Sequence, residues 1–344
     1  MSSNNERTTL ATIASVAGVS VATVSKVVNG RPDVAPTTRA LVEDLLQEHA
    51  YVGRRVEPVR APSVEMLFHG RLTAYSTEIL RGVVDEAAEI GIDVVVTRRP
   101  RDEQSAAVTS PSHWVRQLTA VGRQAVIAAA SELSAGELTA LARARLPIVV
   151  LDPINMPRAR VTSVGCTNFT GGYTATQHLL DLGHRRIAYI GGTQTAACNQ
   201  ARMHGYRGAM EAAGVRIGKG YVRSGEFRYE DGLLEGGALL ALAQPPTAIF
   251  AANDETALGV VEAARLRGLR VPEDLSVIGF DDTDAARLAS PPLTAIAQPL
   301  RKMGAVALRT ALRLAGGERV DSHHVELATE LVVRDSTAPA PEVR

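Results

Sequence analysis

The chain has 344 residues, too many for one small domain and enough for a short N-terminal domain followed by a two-lobed body. Its 37 basic and 37 acidic residues balance, so attraction to nucleic acid must come from a local excess of positive charge. The sequence has two cysteines, no apolar run of about 18 residues and no hydrophobic segment of a signal peptide, so we expect a soluble cytoplasmic protein without a membrane partner, in which Cys166 and Cys198 are free thiols.

Near the N-terminus, the pattern predicts two short helices that meet at an angle. Ile13, Ala14 and Ala17 form an apolar stripe at helical spacing. Gly18 permits a tight turn, and Ser20 is placed to cap the second helix. This is the pattern of a helix-turn-helix, whose second helix enters the DNA major groove. A plain helical hairpin is the alternative.

We expect the start of the second helix and its flanks to contact DNA. Lys26 can donate to guanine acceptors or to a phosphate, whereas Val21 and Ala22 can make only apolar contacts, such as with thymine methyl groups. Hydroxyl and amide groups nearby can bind phosphates. The predicted DNA-contacting residues of this region are Thr9, Leu10, Ser20, Val21, Ala22, Thr23, Ser25, Lys26 and Asn29.

A third helix and a linker complete this N-terminal part. Within residues 31–50, Val42, Leu45 and Leu46 recur on one side of the predicted helix and would close a small core. Residues 51–63 then hold a glycine, two prolines and three arginines, which is typical of a cationic linker.

Beyond the linker, apolar strand-like runs alternate with helical segments in two successive series. The runs of the first series begin at Glu65, Asp93, Ala125 and Ile148, and those of the second at Arg186, Tyr221, Ala248 and Leu275. This alternation predicts two α/β lobes, each a parallel sheet covered by helices. Loops at the carboxyl ends of such strands line a cleft in which small ligands bind.

Polar residues follow several of these strand runs. Asp152, Asn253 and Asp281 each come directly after an apolar stretch. Carboxylates and amides at this position can accept hydrogen bonds from paired hydroxyls, and an arginine can donate to a sugar oxygen. The cleft therefore has the chemistry of a sugar site, although an acid such as Asp254 could equally cap the helix that follows it.

The N-terminal motifs resemble the headpiece of the lac repressor (LacI/GalR) family of bacterial transcription factors. The resemblance is carried by Thr9-Leu10, Ile13-Ala14, Ala17-Gly18-Val19-Ser20 and Thr23-Val24-Ser25-Lys26-Val27-Val28-Asn29, followed by Thr38-Arg39 and Tyr51. It continues to about residue 335. It implies an N-terminal all-α helix-turn-helix headpiece and an α/β two-lobed effector domain of the periplasmic-binding-protein type.

The resemblance also implies the effector contacts. Arg202 fills the position of a sugar-contacting arginine, Asn253 and Asp281 fill the amide and carboxylate positions, and Phe227 fills that of an aromatic residue stacked on the sugar. Tyr75 and Leu300 match wall positions. Ser131 follows the third strand, although its alanine neighbours add no polar group. The predicted effector-binding residues are Tyr75, Ser131, Asp152, Arg202, Phe227, Asn253, Asp281 and Leu300.

The resemblance divides the chain into a headpiece with linker, residues 1–60, and a sugar-binding and dimerisation domain, residues 61–344. Crossings between the lobes are expected near residues 163, 293 and 325. They assign 64–163 and 294–324 to lobe 1, and 164–293 and 325–335 to lobe 2. The remaining residues from Ser336 to Arg344, rich in proline and alanine, are expected to form a disordered tail.

The linker departs from the family pattern. Many members have, after the tyrosine matched by Tyr51, a hinge helix whose leucine wedges into the minor groove. This chain has Gly53, Arg54, Glu57 and Arg60 at the corresponding places, and Pro58 interrupts a helix. We expect Arg54 and Arg55 to contact phosphates or enter a narrow minor groove instead. A solvated flexible linker is the alternative.

The function implied is that of a transcriptional repressor. A homodimer would place two headpieces on inverted half-sites of a double-stranded operator, and a small sugar between the lobes would alter operator affinity. The segment from Ala74 to Gly82 is most similar to actinobacterial regulators of plant-sugar use, which suggests xylose or a xylo-oligosaccharide. A sugar-binding module without regulatory DNA binding is the alternative.

We expect no catalytic activity, cofactor or metal. The sequence has no Gly-x-Ser-x-Gly elbow, no phosphate-binding Gly-x4-Gly-Lys loop and no His-Glu-x2-His helix. His323 and His324 are neighbours on a predicted strand and would point to opposite faces, which favours surface histidines over a metal site.

Overall fold

The computed structural model of the chain describes residues 9–28, 31, 33–49, 62–99, 110–129, 133–153 and 161–341. The chain forms two compact units that divide between residues 60 and 61. We call the first the headpiece and the second the body.

The described part of the headpiece holds three helices, α1 (Leu10–Ala17), α2 (Val21–Val28) and α3 (Pro36–Glu48). The chain bends by 109° between α1 and α2, within the range of about 90–120° that helix-turn-helix units show. Gly18 occupies the turn with a left-handed φ of 66°, which glycine adopts without steric cost. The Ser20 hydroxyl accepts a hydrogen bond from the Thr23 N–H at 3.1 Å and caps α2.

One small core joins the three helices of the headpiece. It consists of the buried side chains of Ile13, Ala14, Val24, Val27 and Val42. These are apolar positions that the helical spacing predicts, so the predicted helix-turn-helix is confirmed.

The body alternates strands and helices, as the sequence pattern predicts. Its first part contains β1 (Ser63–His69), α4 (Ala74–Ile90), β2 (Asp93–Arg99), α5 (Pro111–Ala120), β3 (Arg123–Ala129), α6 (Ala135–Arg143), β4 (Ile148–Leu151) and β5 (Thr162–Cys166). Its second part contains α7 (Asn168–Asp181), β6 (Ile187–Gly191), α8 (Ala197–Ala212), β7 (Val222–Ser224), α9 (Tyr229–Leu240), β8 (Ala248–Ala251), α10 (Asp254–Arg265), β9 (Ser276–Asp281), α11 (Asp284–Arg287), β10 (Thr294–Ala297), α12 (Leu300–Ala315), β11 (His324–Leu327) and β12 (Glu330–Val332).

The described strands form two six-stranded sheets. The first has the order β11-β5-β4-β3-β1-β2, and its strands pair in parallel. The second has the order β12-β10-β9-β8-β6-β7, in which only β12 runs antiparallel to its neighbour. We call the first sheet with its helices lobe 1 and the second lobe 2. The predicted pair of α/β lobes is confirmed.

Strand β1 shows why these strands appear in the sequence as unbroken apolar runs. Val64, Met66 and Phe68 are buried in one core, whereas Leu67 packs on the opposite face of the sheet with Trp114. Because helices cover both faces of a parallel sheet, successive side chains are all buried although they point in opposite directions.

The predicted positions of the lobe crossings are each a few residues too early. Strand β5 continues in lobe 1 to Cys166, β10 belongs to lobe 2 although it begins at Thr294, and β11 belongs to lobe 1 up to Leu327. The crossings therefore lie at residues 167, 298–299 and 328–329. The lobe to which a short strand belongs depends on the strands it pairs with, and its hydropathy pattern does not reveal those partners.

The predicted disordered tail is wrong up to residue 341, because the chain beyond Ser336 packs against lobe 2. Ser336 is fully buried, and its hydroxyl donates to the Val277 carbonyl at 2.6 Å and accepts from the Thr294 N–H at 2.8 Å. The Ala340 N–H donates to the Leu182 carbonyl at 2.8 Å. Ser336 thus lies at the amino ends of β9 and β10, where buried hydrogen bonds order a segment whose composition is typical of disorder.

Helices α7 and α8 cross at glycines. A Cβ atom on Gly172 would lie 2.3 Å from the Arg202 carbonyl oxygen, and one on Gly205 would lie 2.2 Å from the Phe169 carbonyl oxygen. Only glycine permits this backbone approach. The contact fixes the height and rotation of α8, and with them the position of the Arg202 side chain.

Candidate DNA-binding surface and effector site

Helix α2 presents a mixed surface to solvent. Val21 and Ala22 are exposed at its first turn, and Lys26 is exposed at its last turn. Thr23 is half-buried, and its hydroxyl lies 2.9 Å from the Ser20 hydroxyl. An apolar and a cationic group are thus available on the second helix, the one that enters the major groove in helix-turn-helix proteins.

Some predicted DNA-contacting residues also stabilise the headpiece itself. The Thr9 hydroxyl accepts from the Thr12 N–H at 3.3 Å and caps α1. Leu10 is partly buried against the headpiece core. Ser25 is half-buried on α2. The predicted residues Asn29, Arg54, Arg55 and Ser131 lie outside the described residues.

An acidic partner of Lys26 escaped the sequence analysis. The Asp33 carboxylate lies 2.7 Å from the Lys26 ammonium. The two residues are separated by a loop between α2 and α3, so helical periodicity could not reveal the pair. Their opposite charges a short distance apart in sequence are the signal that could have found it.

Lobe 1 contributes a tyrosine and a carboxyl group to the candidate effector site. Tyr75, in the first turn of α4, donates its hydroxyl to Asp152 Oδ2 at 2.6 Å, and Asp152 directly follows β4. Burial raises the pKa of Asp152, although the Tyr75 hydrogen bond and the Arg202 charge oppose the shift. Burial, together with the Asp152 charge, also raises the pKa of Tyr75 well above its ordinary value. Tyr75 therefore remains a neutral donor.

Lobe 2 contributes Arg202. Its guanidinium is buried, donates to Asn168 Oδ1 at 2.7 Å and to the Ala252 carbonyl at 2.6 Å, and lies over the Phe280 ring at 3.7 Å from the ring centroid. The ring face attracts the cation and holds its plane. Asp281, at the end of β9, lies 3.8 Å from the same guanidinium.

Asp281 is held by a short chain of hydrogen bonds across the two lobes. Gln298 Nε2 donates to Asp281 Oδ1 at 2.5 Å, and the Cys166 thiol donates to Gln298 Oε1 at 3.0 Å. Burial raises the pKa of the Cys166 thiol well above its usual value, so it stays protonated as a donor. Burial also raises the pKa of Asp281 to about 7, although Arg202 and Gln298 oppose the shift.

Asn253 and Phe227 support each other at the rim of lobe 2. The Asn253 amide accepts from the Thr256 N–H at 3.0 Å, which caps α10, and donates to the Phe227 carbonyl at 3.0 Å. The Phe227 ring covers Gly192, where a Cβ atom would lie 2.1 Å from it. The cap of α10 is therefore Asn253, and Asp254 instead accepts from the Thr283 N–H at 2.7 Å.

Backbone strain concentrates at the predicted effector residues. Among the described residues, five non-glycine residues have left-handed φ angles, and three of them are Asp152, Phe227 and Asp281, with φ of 43°, 60° and 109°. Such conformations are costly and persist where the surrounding structure enforces them, commonly at binding sites.

The described structure brings Tyr75, Asp152, Arg202 and Asp281 together closely enough for their charges to interact. Leu300 is buried at the start of α12. Asn168, which binds Arg202, and Gln298, which binds Asp281, are residues of the candidate site that the sequence analysis missed. Gln298 directly follows β10, Asn168 comes two residues after β5, and Asp281 is the last residue of β9, so a search for polar residues at strand ends could have found them.

His323 and His324 bond to hydroxyl groups. The Nδ1 atom of His323 lies 3.1 Å from the Thr162 hydroxyl, and that of His324 lies 2.9 Å from the Ser163 hydroxyl.

Among the described residues, no single helix is long and apolar enough to cross a membrane, and α1 with α2 meets that test only as a sharply bent pair.

Comparison with known proteins agrees with this architecture. A family model described as bacterial regulatory proteins, lacI family, matches residues 9–53, and one described as a periplasmic binding protein-like domain matches residues 176–337. The chain is 36% identical to the HTH-type transcriptional regulator DegA of Bacillus subtilis (strain 168), over 97% of this chain and 99% of that protein.

Solved structures extend the similarity to both units. A complex of the transcriptional regulator CelR with cellobiose is 32% identical, with a TM-score of 0.72, and the match covers 96% of this chain and 100% of that one. A lac repressor dimer bound to operator and the anti-inducer ONPF is 27% identical, with a TM-score of 0.73, and the match covers 97% and 100% of the two chains.

A helix-turn-helix headpiece and a two-sheet body with buried polar residues at the strand ends define a DNA-binding regulator with a ligand-binding domain. The chain belongs to the LacI family of bacterial regulatory proteins, and it is a transcriptional regulator, as the resemblance of its headpiece predicts.

Proposed function

We propose that this protein is a repressor whose affinity for its operator is controlled by a small uncharged sugar bound between the lobes. The convergence of Asp152 from lobe 1 with Arg202 and Asp281 from lobe 2 carries the proposal. Carboxyl groups from two lobes can accept hydrogen bonds from separate hydroxyls of one sugar, so binding would favour one relative position of the lobes.

The charges of the site support an uncharged effector. The positive charge of Arg202 faces the carboxyl groups of Asp152 and Asp281, and two of its five N–H donors bind Asn168 and Ala252. A phosphate or carboxylate on the ligand would meet these acids in a buried environment, where like charges repel strongly. Phe227 and Leu300 supply apolar wall, which suits the faces of a sugar ring.

The first ligands to test are plant-derived saccharides. CelR, which is similar to this chain, has been solved with cellobiose. Xylose and xylo-oligosaccharides lack the hydroxymethyl group of glucose units, so comparison of the two series would measure the space available beside Tyr75 and Phe227. Tyr75 donates toward Asp152, which leaves the tyrosine oxygen to accept from a hydroxyl.

We infer that the headpiece contacts DNA through α2 and its flanks. Val21 and Ala22 would face thymine methyl groups, and Lys26 would reach a base edge. Thr9, Leu10, Ser20, Thr23, Ser25 and Asn29 would border the phosphates, and Arg54 and Arg55 would add charge from the linker. A protein that acts on chromosomal DNA works where the chromosome lies, which supports a cytoplasmic location.

We propose that the protein acts as a homodimer on two inverted half-sites. Val96 on the edge strand β2 is 43% exposed, and Leu288 next to α11 is 85% exposed. A second copy is the occupant that suits these apolar side chains, because the lac repressor structure that matches 97% of this chain is a dimer. In sedimentation velocity, Leu288→Arg should shift the protein toward monomer. Val16→Arg in the headpiece is the control.

Two ion pairs link the lobes beside the effector site. Arg81 lies 3.0 Å from Asp284, and Arg71 lies 3.8 Å from Glu255. A ligand that binds one arrangement of the lobes more tightly would shift the balance between arrangements by the difference in its affinities. A coupling of about 1–3 kcal/mol gives about 5- to 150-fold regulation of operator affinity.

Fluorescence anisotropy would test the proposal, with labelled duplex from upstream of the protein's own gene and a panel of neutral, amino and phosphorylated sugars. We expect tight, salt-sensitive DNA binding that one uncharged sugar weakens. Arg202→Met should abolish the sugar response, whereas Arg207→Met, at an exposed position of the same helix, should preserve it. Sugar binding without any specific DNA binding would favour the sugar-binding module instead.

A further inference from the structure

The last turn of the recognition helix α2 carries a lysine that already has an acidic partner. Lys26 Nζ donates to Asp33 Oδ2 at 2.7 Å, and the two side chains are 50% and 56% exposed. The hydrogen bond from Lys26 holds the pKa of Asp33 below its ordinary value, so the carboxylate stays charged at neutral pH. The pair lies at the surface, where both groups are accessible to a third partner.

Arg31, two residues before Asp33, is bonded to the helices on both sides. The Arg31 N–H donates to the Lys26 carbonyl at 2.9 Å, and the Arg39 guanidinium of α3 donates to the Arg31 carbonyl. Val34 packs against the headpiece core. Asp33 therefore holds the Lys26 ammonium from a defined direction, whereas an isolated lysine would sample many rotamers.

A carboxylate at this place weakens one kind of DNA contact and leaves another intact. Beside a phosphate, the negative charge of Asp33 would oppose binding and reduce the net charge that α2 brings to the backbone. A base edge in the major groove carries no net charge. An ammonium has three N–H donors, and after one is used by Asp33 two remain, which matches the N7 and O6 acceptors of a single guanine.

We propose that Asp33 is a positioning residue for DNA recognition: it directs Lys26 away from the phosphates and onto the edge of one guanine in each half-site. Base selectivity at that position then depends on Asp33, although Asp33 contacts Lys26 and not the base. The inference rests on the proposed contact between Lys26 and a base, and it adds a specificity determinant in the loop after the recognition helix.

Selection from a random duplex pool, followed by sequencing, tests the inference and identifies the preferred half-site in the same experiment. The full-length protein is compared with Lys26→Met, Asp33→Asn and Glu43→Gln. Glu43 is a matched control, because its side chain is 57% exposed, it lies 3.9 Å from Arg39, and its substitution changes the headpiece charge equally. Anisotropy titrations on the selected site, its single-base variants and a scrambled duplex then give the affinities.

We expect Lys26→Met to abolish one guanine preference in each half-site and thereby to identify the base pair. Asp33→Asn should reduce the preference at that same pair by about tenfold, as loss of a two-acceptor contact does. It should also tighten binding to the scrambled duplex and steepen the slope of log Kobs against log salt by about 0.9, since the released lysine gains a phosphate. Glu43→Gln should keep the guanine preference.

Each other outcome has a distinct meaning. If Asp33→Asn keeps the guanine preference that Lys26→Met abolishes, the pair is an ordinary surface ion pair and the inference is overturned. If Lys26→Met leaves the selected sequence unchanged, the proposed base contact of Lys26 fails first. Binding to the scrambled duplex shows that the variant headpieces are folded, and the double variant should lose no more selectivity than Lys26→Met alone.

Discussion

The affinity of the protein for its effector should fall as the pH is lowered from 8 to 6. Asp281 is the group responsible, because burial raises its pKa to about 7, in the middle of that interval. Its ionised form can accept two hydroxyl hydrogen bonds more strongly than the neutral acid can, since hydrogen bonds to charged groups are the stronger ones. Arg202 at 3.8 Å favours the ionised form.

The size of the effect follows from the ionised fraction. For a carboxyl group whose pKa is about 7, that fraction is about one-tenth at pH 6 and about nine-tenths at pH 8. The apparent dissociation constant is the intrinsic constant divided by the competent fraction. If only ionised Asp281 binds the sugar, the affinity should therefore fall by about tenfold between pH 8 and pH 6.

Isothermal titration calorimetry at constant ionic strength, with the sugar identified by anisotropy, would measure this change in affinity. Asp281→Asn should bind the sugar weakly at both pH values and with little pH dependence. Gln298→Met, which removes the 2.5 Å hydrogen bond to Asp281, should raise the pKa of Asp281 and move the loss of affinity to higher pH.

Two results would refute the reasoning. Affinity that is constant from pH 6 to pH 8 in the wild-type protein would mean that Asp281 binds sugar equally well in both protonation states. A pH dependence that persists undiminished in Asp281→Asn would assign the titration to another group, of which Asp254 and Asp152 are the candidates, because burial raises the pKa of both.

Three further predictions concern the body. Gly205→Ala should lower stability by about 1–3 kcal/mol in urea melts and weaken sugar binding, because its Cβ would lie 2.2 Å from the Phe169 carbonyl oxygen in the α7–α8 contact; unchanged stability would show that the helices separate freely. Ser336→Ala should cost about 1–3 kcal/mol, since it leaves buried backbone groups unpaired, and a value near zero would mean that the terminal segment does not pack. Burial lowers the pKa of His178 and His184 below 6.5, so their contribution to stability is complete above pH 6.5 and is lost as the pH drops through their folded pKa values. The melting temperature of His184→Gln should therefore fall less on acidification than that of the wild-type protein, and an equal fall would contradict this.

The headpiece was predictable because its determinants are local. Three helices, the glycine turn and the Ser20 cap depend on residues within a few positions of each other, and apolar spacing identifies the core. The alternation of strands and helices in the body was predictable for the same reason. The candidate effector residues Asp152 and Asp281 could be anticipated because both lie at the carboxyl ends of strands, and parallel strands end at one edge of a sheet.

Other features were beyond the sequence because they depend on partners far apart in the chain. Gln298 receives its role from Cys166 and Asp281, which lie in different lobes. The terminal segment after Ser336 has the composition of a disordered tail, and only the buried groups of Val277 and Thr294 make it ordered.

Local patterns in the chain therefore account for the helix-turn-helix, the two α/β lobes, the family and most of the polar groups at the strand ends. Tertiary contacts alone establish to which sheet β10 and β11 belong, which amide donates to Asp281, and that Asp33 forms an ion pair with Lys26. The physical reason is that periodicity and capping act over one or two turns of chain, whereas sheet pairing and ion pairs between elements depend on how distant segments meet.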